Sequence, residues 1–289
     1  MAVFRCNTMD IREFISQPVS SGTERHREQT EQVDIRRLFA AAGIEGENVN
    51  PEIFARLELL QRNSGFLEDE QHAFNLAQAL FAYYEREVPD RMFSVEEQHE
   101  VLAGTLLSDI GKTGPKNATL GQQEVILDIF RIENVENPQI TVRKLLEQHY
   151  AGDADRRIAA LQQLGIDASR MPMRDFWNMH AVWTLGIIQN GGIPQEDVPA
   201  AAFHQILERV NEQYVGAGGR YVNGFGKNLV FDRPEKLVIL LDKYDAFRSR
   251  LGKSHQEAIV LTRNLIERTP YANDWEFLEL LTDMGHALA

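Results

Sequence analysis

Apolar residues recur at helical spacing along almost the whole chain. Val33, Ile35, Leu38, Phe39 and Ala42 fall on one helix face, and Gly43 and Gly46 end that pattern. Asn50-Pro51 opens a second helix with proline in its first turn, striped by Ile53, Phe54, Leu57 and Leu60. Beyond Asn63-Ser64-Gly65 a third runs through Phe74, Leu76, Ala77, Leu80, Phe81 and Tyr84 to a turn at Pro89. Val101, Leu102, Ala103, Leu106 and Leu107 then carry an apolar helix to Asp109. Leu120 to Ile132, Thr141 to Tyr150 and Arg156 to Leu164 read as further helices, and Asp175 to Gln189 as an aromatic-rich one. Asp197 to Tyr214 is predicted as one helix, followed by the glycine-rich loop Val215 to Tyr221. Leu237 to Phe247, Gln256 to Arg268 and a short helix from Asp274 complete the series. No convincing set of alternating strands and no internal repeat is visible. The predicted fold is all-α, a single helical bundle.

Within this pattern the stretch Thr105 to Pro115 stands out, because an apolar helix delivers an acid, Asp109, and a lysine, Lys112, to a loop. One reading is a ligand and a phosphate contact placed at a cavity. The other is a helix C-terminus, with Gly111 as the left-handed cap, Lys112 complementing the dipole and Pro115 as the stop. Asp109 and Asp242 both interrupt apolar runs, where an unpaired charge is costly, so each calls for a cation or metal partner. His180 lies on an otherwise apolar helix, where a histidine is either a hydrogen-bonded core residue or a ligand.

Composition narrows the choices. The 289 residues carry a formal charge of −13, which argues against a general nucleic-acid surface and leaves room for a local basic pocket. Hydrophobic content of 43% and charged content of 25% are those of a globular protein, and no apolar run is long enough to span a bilayer. The start of the chain lacks a secretory core, and the one cysteine, Cys6, excludes an intramolecular disulfide. A cytoplasmic, membrane-free protein is the expectation.

The segment Leu106-Leu107-Ser108-Asp109-Ile110-Gly111-Lys112 resembles the "LLHDIGK" signature of the HD superfamily of metal-dependent phosphohydrolases, closest to its HD-GYP branch. Further matches follow in family order: Glu68 and His72 one helical turn apart, His180 in a segment similar to "HPxxGxxxI", and His204. Leu237 to Phe247 resembles "ILAVADVYDAL" around Asp242, and Ser254 to Ile259 resembles the "SxEEA" helix start. The resemblance covers roughly residues 63–270, after an N-terminal arm and helices (1–62) and before a C-terminal helix (271–289). An inserted helical segment at about 134–173 reads equally as a lid or protein-partner surface and as decoration.

What the resemblance implies is a phosphohydrolase or phosphodiesterase holding one or two divalent metals, iron or manganese, and acting on a nucleotide such as cyclic di-GMP. Asp109 would bridge the metals. His72 and Asp242 would serve one, His180 and His204 the other, and Glu68 would add a ligand. Lys112 would hold a substrate phosphate, with Arg220 and Tyr221 of the glycine-rich loop as further substrate contacts. Three departures favour a rival reading, a catalytically inactive nucleotide-binding or protein-interaction module. Ser108 stands in place of the family's histidine, the expected histidine pair is reduced to His204, and no proline follows the loop tyrosine.

Overall fold

A computed structural model describes residues 33–64, 66–132 and 135–289. The expected N-terminal arm up to residue 32, with Cys6, lies outside the described residues, as does the side chain of Glu68. The chain is mostly helical: α1 (Ile35–Ala41), α2 (Pro51–Ser64), α3 (Phe66–Glu87), α4 (Val95–Leu107), α5 (Leu120–Phe130), α6 (Val142–His149) and α7 (Ala154–Gln163) lead to α8 (Met173–Ile188). After the short α9 (Val198–Ala202) come α10 (Arg233–Asp245), α11 (His255–Ile266) and α12 (Trp275–Ala287).

Local chemistry sets most of these boundaries. Ser94 with Glu97, Thr119 with Gln122 and Ser254 with Glu257 form reciprocal capping boxes that start α4, α5 and α11. Pro51 occupies the first turn of α2, where its missing N–H costs nothing. Between α4 and α5 the turn Ile110–Thr113 is a tight helical turn.

The core is built around α4, against which α3, α9 and α10 all pack. A side chain at Gly104 would meet Ala200 Cβ at 2.7 Å and Val238 Cγ2 at 2.8 Å, so glycine is what lets α4, α9 and α10 approach so closely. One continuous apolar core runs from Ile35 to Met284. Helices α6 and α7 pack on each other, and α7 lies against α5, burying Val142, Leu145, Ile158 and Leu161. No helix among the described residues is long and apolar enough to cross a membrane.

Two expectations from the sequence are corrected. The helix predicted over Asp197 to Tyr214 stops at Ala202, and short 3-10 turns replace it, broken by left-handed Arg209 and Asn211. A two-stranded antiparallel hairpin also interrupts the all-α pattern, pairing β1 (Arg220–Phe225) with β2 (Asn228–Val230). Its Tyr221 and Phe225 rings pack on Phe203, which stabilises strands too short to persist alone.

Candidate metal centre

Three side chains from separate elements converge: Asp109 from the exit of α4, His180 from the middle of α8 and His204 from just after α9. One ligand atom from each lies within 4.8 Å of the other two, and all three residues are buried. His180 Nε2 stands 2.7 Å from His204 Nε2 and 3.4 Å from Asp109 Oδ1. Ligands about 2.1 Å from a common ion are roughly 3.0 Å apart in octahedral and roughly 3.4 Å apart in tetrahedral arrangements. The His180–Asp109 separation matches the tetrahedral value, and the two Nε2 atoms stand somewhat closer together than the octahedral one.

The tautomers sharpen this geometry. His180 Nδ1 faces the Trp177 carbonyl at 2.5 Å, and His204 Nδ1 faces the Ala201 carbonyl at 2.7 Å. A carbonyl can only accept, so each Nδ1 carries its ring's proton and each neutral ring turns a lone pair outward from Nε2. Two lone pairs 2.7 Å apart repel unless a cation lies between or beside them. A proton is a poor candidate, since burial and then the neighbouring His204 lower the His180 ring to about 3, and burial lowers His204 as well. Backbone carbonyls orienting ligand imidazoles through the opposite nitrogen are the usual support of a metal-bound histidine. Burial alone would raise the Asp109 carboxyl, but the Lys112 ammonium paired with it, and then both histidines, hold it well below the usual carboxylate range.

The Asp109 turn is pressed directly onto the helix of His180. Gly111 does not take the left-handed conformation of a cap; the residue there with positive φ is Gly114. Gly111 is needed for close approach instead, because a Cβ on it would lie 1.9 Å from the His180 carbonyl oxygen and 2.7 Å from the Thr184 nitrogen. Thr184 Oγ1 accepts from Gly111 N–H at 3.1 Å and donates to the Ser108 carbonyl at 2.8 Å, tying both sides of Asp109 to α8. Gly111→Ala is therefore expected to destabilise the fold by about 1–3 kcal/mol and to separate Asp109 from His180, which urea unfolding and metal affinity measured together will show.

Beside the three ligands a cleft is lined by Asp69, Glu70, Ser108, Asp242, Asp245 and Arg250, among others. Its volume of about 20 Å³ admits an ion or a water but falls far short of the roughly 300 Å³ at the small end of ligand pockets. Asp242 lines it but pairs with Lys243 at 2.9 Å; Lys243 also meets Gln205 at 2.8 Å and Glu208 at 3.2 Å. His72 does not join Asp109, His180 and His204. Its half-exposed ring sits 2.5 Å from Asp245 Oδ1, so it touches the cleft only through that carboxylate. Arg220 and Tyr221 are not brought to the cleft: Arg220 is exposed on the hairpin, and the Tyr221 hydroxyl donates to Glu235 at 2.8 Å. The inserted segment contributes no lining residue.

Glu70, Asp245 and Arg250 also line the cleft, although the sequence pattern gives little signal for them. Glu70 is buried, its Oε1 accepts from Asp109 N–H at 3.0 Å, and its Oε2 has no partner among the described residues. Burial, and then the charge on Asp109, push its carboxyl well above the usual range. Arg250 ends a π-helical turn, Ala246–Arg250, that continues α10 and swings the guanidinium over the cleft, 3.4 Å from Asp69. The only signal for Asp245 was its place one turn after Asp242. No protein-family model, no curated protein and no solved structure matches the chain.

Proposed function

We propose that the chain is a metal-dependent phosphohydrolase of the HD type, holding a divalent ion on Asp109, His180 and His204. The observation that carries this reading is the pair of Nε2 lone pairs, each fixed by a backbone carbonyl, turned toward one carboxylate in a buried site. Imidazole and carboxylate donors without thiolates suit iron or manganese. Bound there, such an ion supplies a Lewis acid and an activated water for attack on phosphorus.

The protein's own groups fit the rest of the task. Lys112 balances the charge of Asp109, and Arg250, which lines the cleft, presents positive charge for a phosphate. Glu70, whose carboxyl burial pushes upward, lies beside the cleft where a proton would suit a departing oxygen. Because the cleft admits only an ion or water, a phosphodiester as large as cyclic di-GMP has to lie across its mouth. A second reading, an inactive nucleotide-binding regulatory module, is favoured by one feature: Ser108 turns its hydroxyl to the Thr105 carbonyl at 3.4 Å and Asp242 is held by Lys243, leaving three close ligands.

The test is elemental analysis of protein purified without chelator, beside Asp109→Ala, followed by hydrolysis of a generic phosphodiester and of cyclic di-GMP. Near-stoichiometric iron or manganese that disappears in the variant, together with hydrolysis that disappears with it, is the expected result. Metal with no hydrolysis of any phosphoester favours the regulatory module. An empty protein unchanged by the substitution overturns the metal site itself.

A further inference from the structure

We infer that Asn211 is a positioning residue that fixes the distance between His180 and His204. The inference rests on the metal-site reading above and deepens it. Asn211 is buried, and its Nδ2 donates to two carbonyls, Ala181 at 3.2 Å and Ala202 at 2.8 Å. Ala181 follows His180 on α8, and Ala202 ends α9 two residues before His204. One amide group thus links the backbone beside each histidine ligand. The Ala202 carbonyl, at a helix C-terminus, lacks a helical partner of its own, so the bond also satisfies an end that would otherwise be orphaned.

Backbone conformation points the same way. Asn211 sits at φ 61°, ψ 9°, and Arg209 at φ 67°, both left-handed, a region that side-chain-bearing residues seldom occupy. The chain turns back on itself twice in quick succession where a continued helix was predicted, and the result is to bring Asn211 under the two histidine-bearing segments. Asparagine is the non-glycine residue that best tolerates this conformation, and its amide is the only end of the side chain able to donate twice. Outer-shell groups bonded directly to a ligand side chain alter metal affinity about 10–100-fold when changed, and Asn211 acts one step further out, on the backbone that sets the two rings.

The experiment is titration of the full chain with Co²⁺, following its visible ligand-field absorption, for wild type, Asn211→Asp, Asn211→Gly and Arg209→Gly. Asn211→Asp keeps shape but replaces the double donor with a carboxylate facing two carbonyls. Asn211→Gly keeps the left-handed backbone and removes both bonds. Arg209 is exposed, and Arg209→Gly relaxes the neighbouring left-handed residue without touching either carbonyl. Circular dichroism confirms that each protein is folded at the titration temperature. Weaker binding, by tenfold or more, with an altered absorption band in a folded Asn211 variant and an unaltered Arg209→Gly is the expected result. Wild-type affinity and spectrum in a folded Asn211→Gly or Asn211→Asp overturn the clamp while leaving the metal site standing. A wild type that binds no Co²⁺ overturns the site and the clamp together.

Discussion

Replacing Arg56 by alanine is expected to destabilise the protein by about 3–5 kcal/mol, the range for breaking a buried polar network, and to lower its melting midpoint by on the order of 10 °C. Arg56 is 1% exposed, although it belongs to a surface-forming helix, α2. Its Nη1 donates to Thr113 Oγ1 at 2.8 Å and to the Gly114 carbonyl at 3.1 Å. Its Nη2 donates to the carbonyls of Pro115 at 3.1 Å and Lys116 at 3.0 Å. These acceptors form the irregular segment by which the chain leaves the Asp109 turn, and of the three carbonyls Pro115's has a backbone donor besides, the Ala118 N–H at 3.0 Å. Removing the guanidinium leaves several carbonyls desolvated at once, and each costs about 1–3 kcal/mol when nothing replaces the bond. Lysine at this position keeps the charge but not the planar fork, and is expected to recover only part of the loss. Glu52, the ion-pair partner, is 37% exposed, so Glu52→Gln should cost under about 1 kcal/mol. Urea unfolding of the three variants checks the order. A wild-type midpoint in Arg56→Ala would mean that the segment is held by something else.

How this clamp escaped the sequence reading illustrates what a pattern can carry. Helix starts were legible wherever chemistry is local, at Pro51, Leu120 and Ser254, because a cap or a proline acts within one turn. Asp109 and His180 stand out in the sequence because each interrupts an apolar stretch, whereas His204 is singled out only by its place in the order of the resemblance. Long-range pairing was not legible. Arg56 on an amphipathic helix looks like any solvent-facing arginine, and its partners lie 57 or more residues away.

Helical phase explains another miss. Glu68 and His72 share a face, which made them a pair in sequence, yet the His72 ring is 52% exposed. Glu70, roughly 200° around the helix from Glu68, faces inward and meets Asp109. The failed helix after Asp197 has a different cause. Its helical pattern was overridden where the histidine ring folds onto Ala201 and Asn211 takes up the Ala202 carbonyl. The hairpin was hidden because its turn, Gly226-Lys227, and its short strands sit in a glycine-rich stretch that reads as loop.

That hairpin also makes stability depend on pH with a sign opposite to ordinary acid denaturation. Two raised acids bond to it, Glu235 and Glu100, and the charge of a third, Asp197, acts on Glu100. Glu235 is fully buried, accepts from Tyr221 and from Asn228 Nδ2, both at 2.8 Å, and is pushed up to about 8 by burial and then by Asp232. Glu100 accepts from the same Asn228 Nδ2 at 3.3 Å and is likewise raised to about 8, by burial and then by Glu235. Asp197 is raised to about 7 by burial and then by Glu196. The nearest cations are engaged elsewhere, Lys236 with Asp274 and Glu276, and Arg233 with the Arg91 carbonyl and Glu97.

A carboxyl whose folded pKa is raised binds its proton more tightly when folded than when unfolded. Its contribution is complete below the unfolded value, near 4, and is lost as pH climbs to the folded value of 7 or 8. Each such group adds a slope of about 1.4 kcal/mol per pH unit across that window, so the unfolding free energy should fall steadily from about pH 6.5, where unfolded histidines no longer take up protons, to about pH 8. Glu70, Asp232, Glu208 and Asp245, also raised, add in the same direction, and the lowered His180 and His204 oppose it up to about pH 6.5, so the hairpin's share is isolated by substitution. Glu235→Gln keeps an acceptor for Tyr221 and Asn228 but cannot ionise, and should remove about one proton's worth of slope while leaving the stability near pH 5 within about 1 kcal/mol of wild type. Urea unfolding at half-unit steps of pH measures it. A flat wild-type profile from about pH 6.5 to 8, or a variant with undiminished slope, would mean that these acids are ionised in the folded protein and that water reaches the hairpin's inner face.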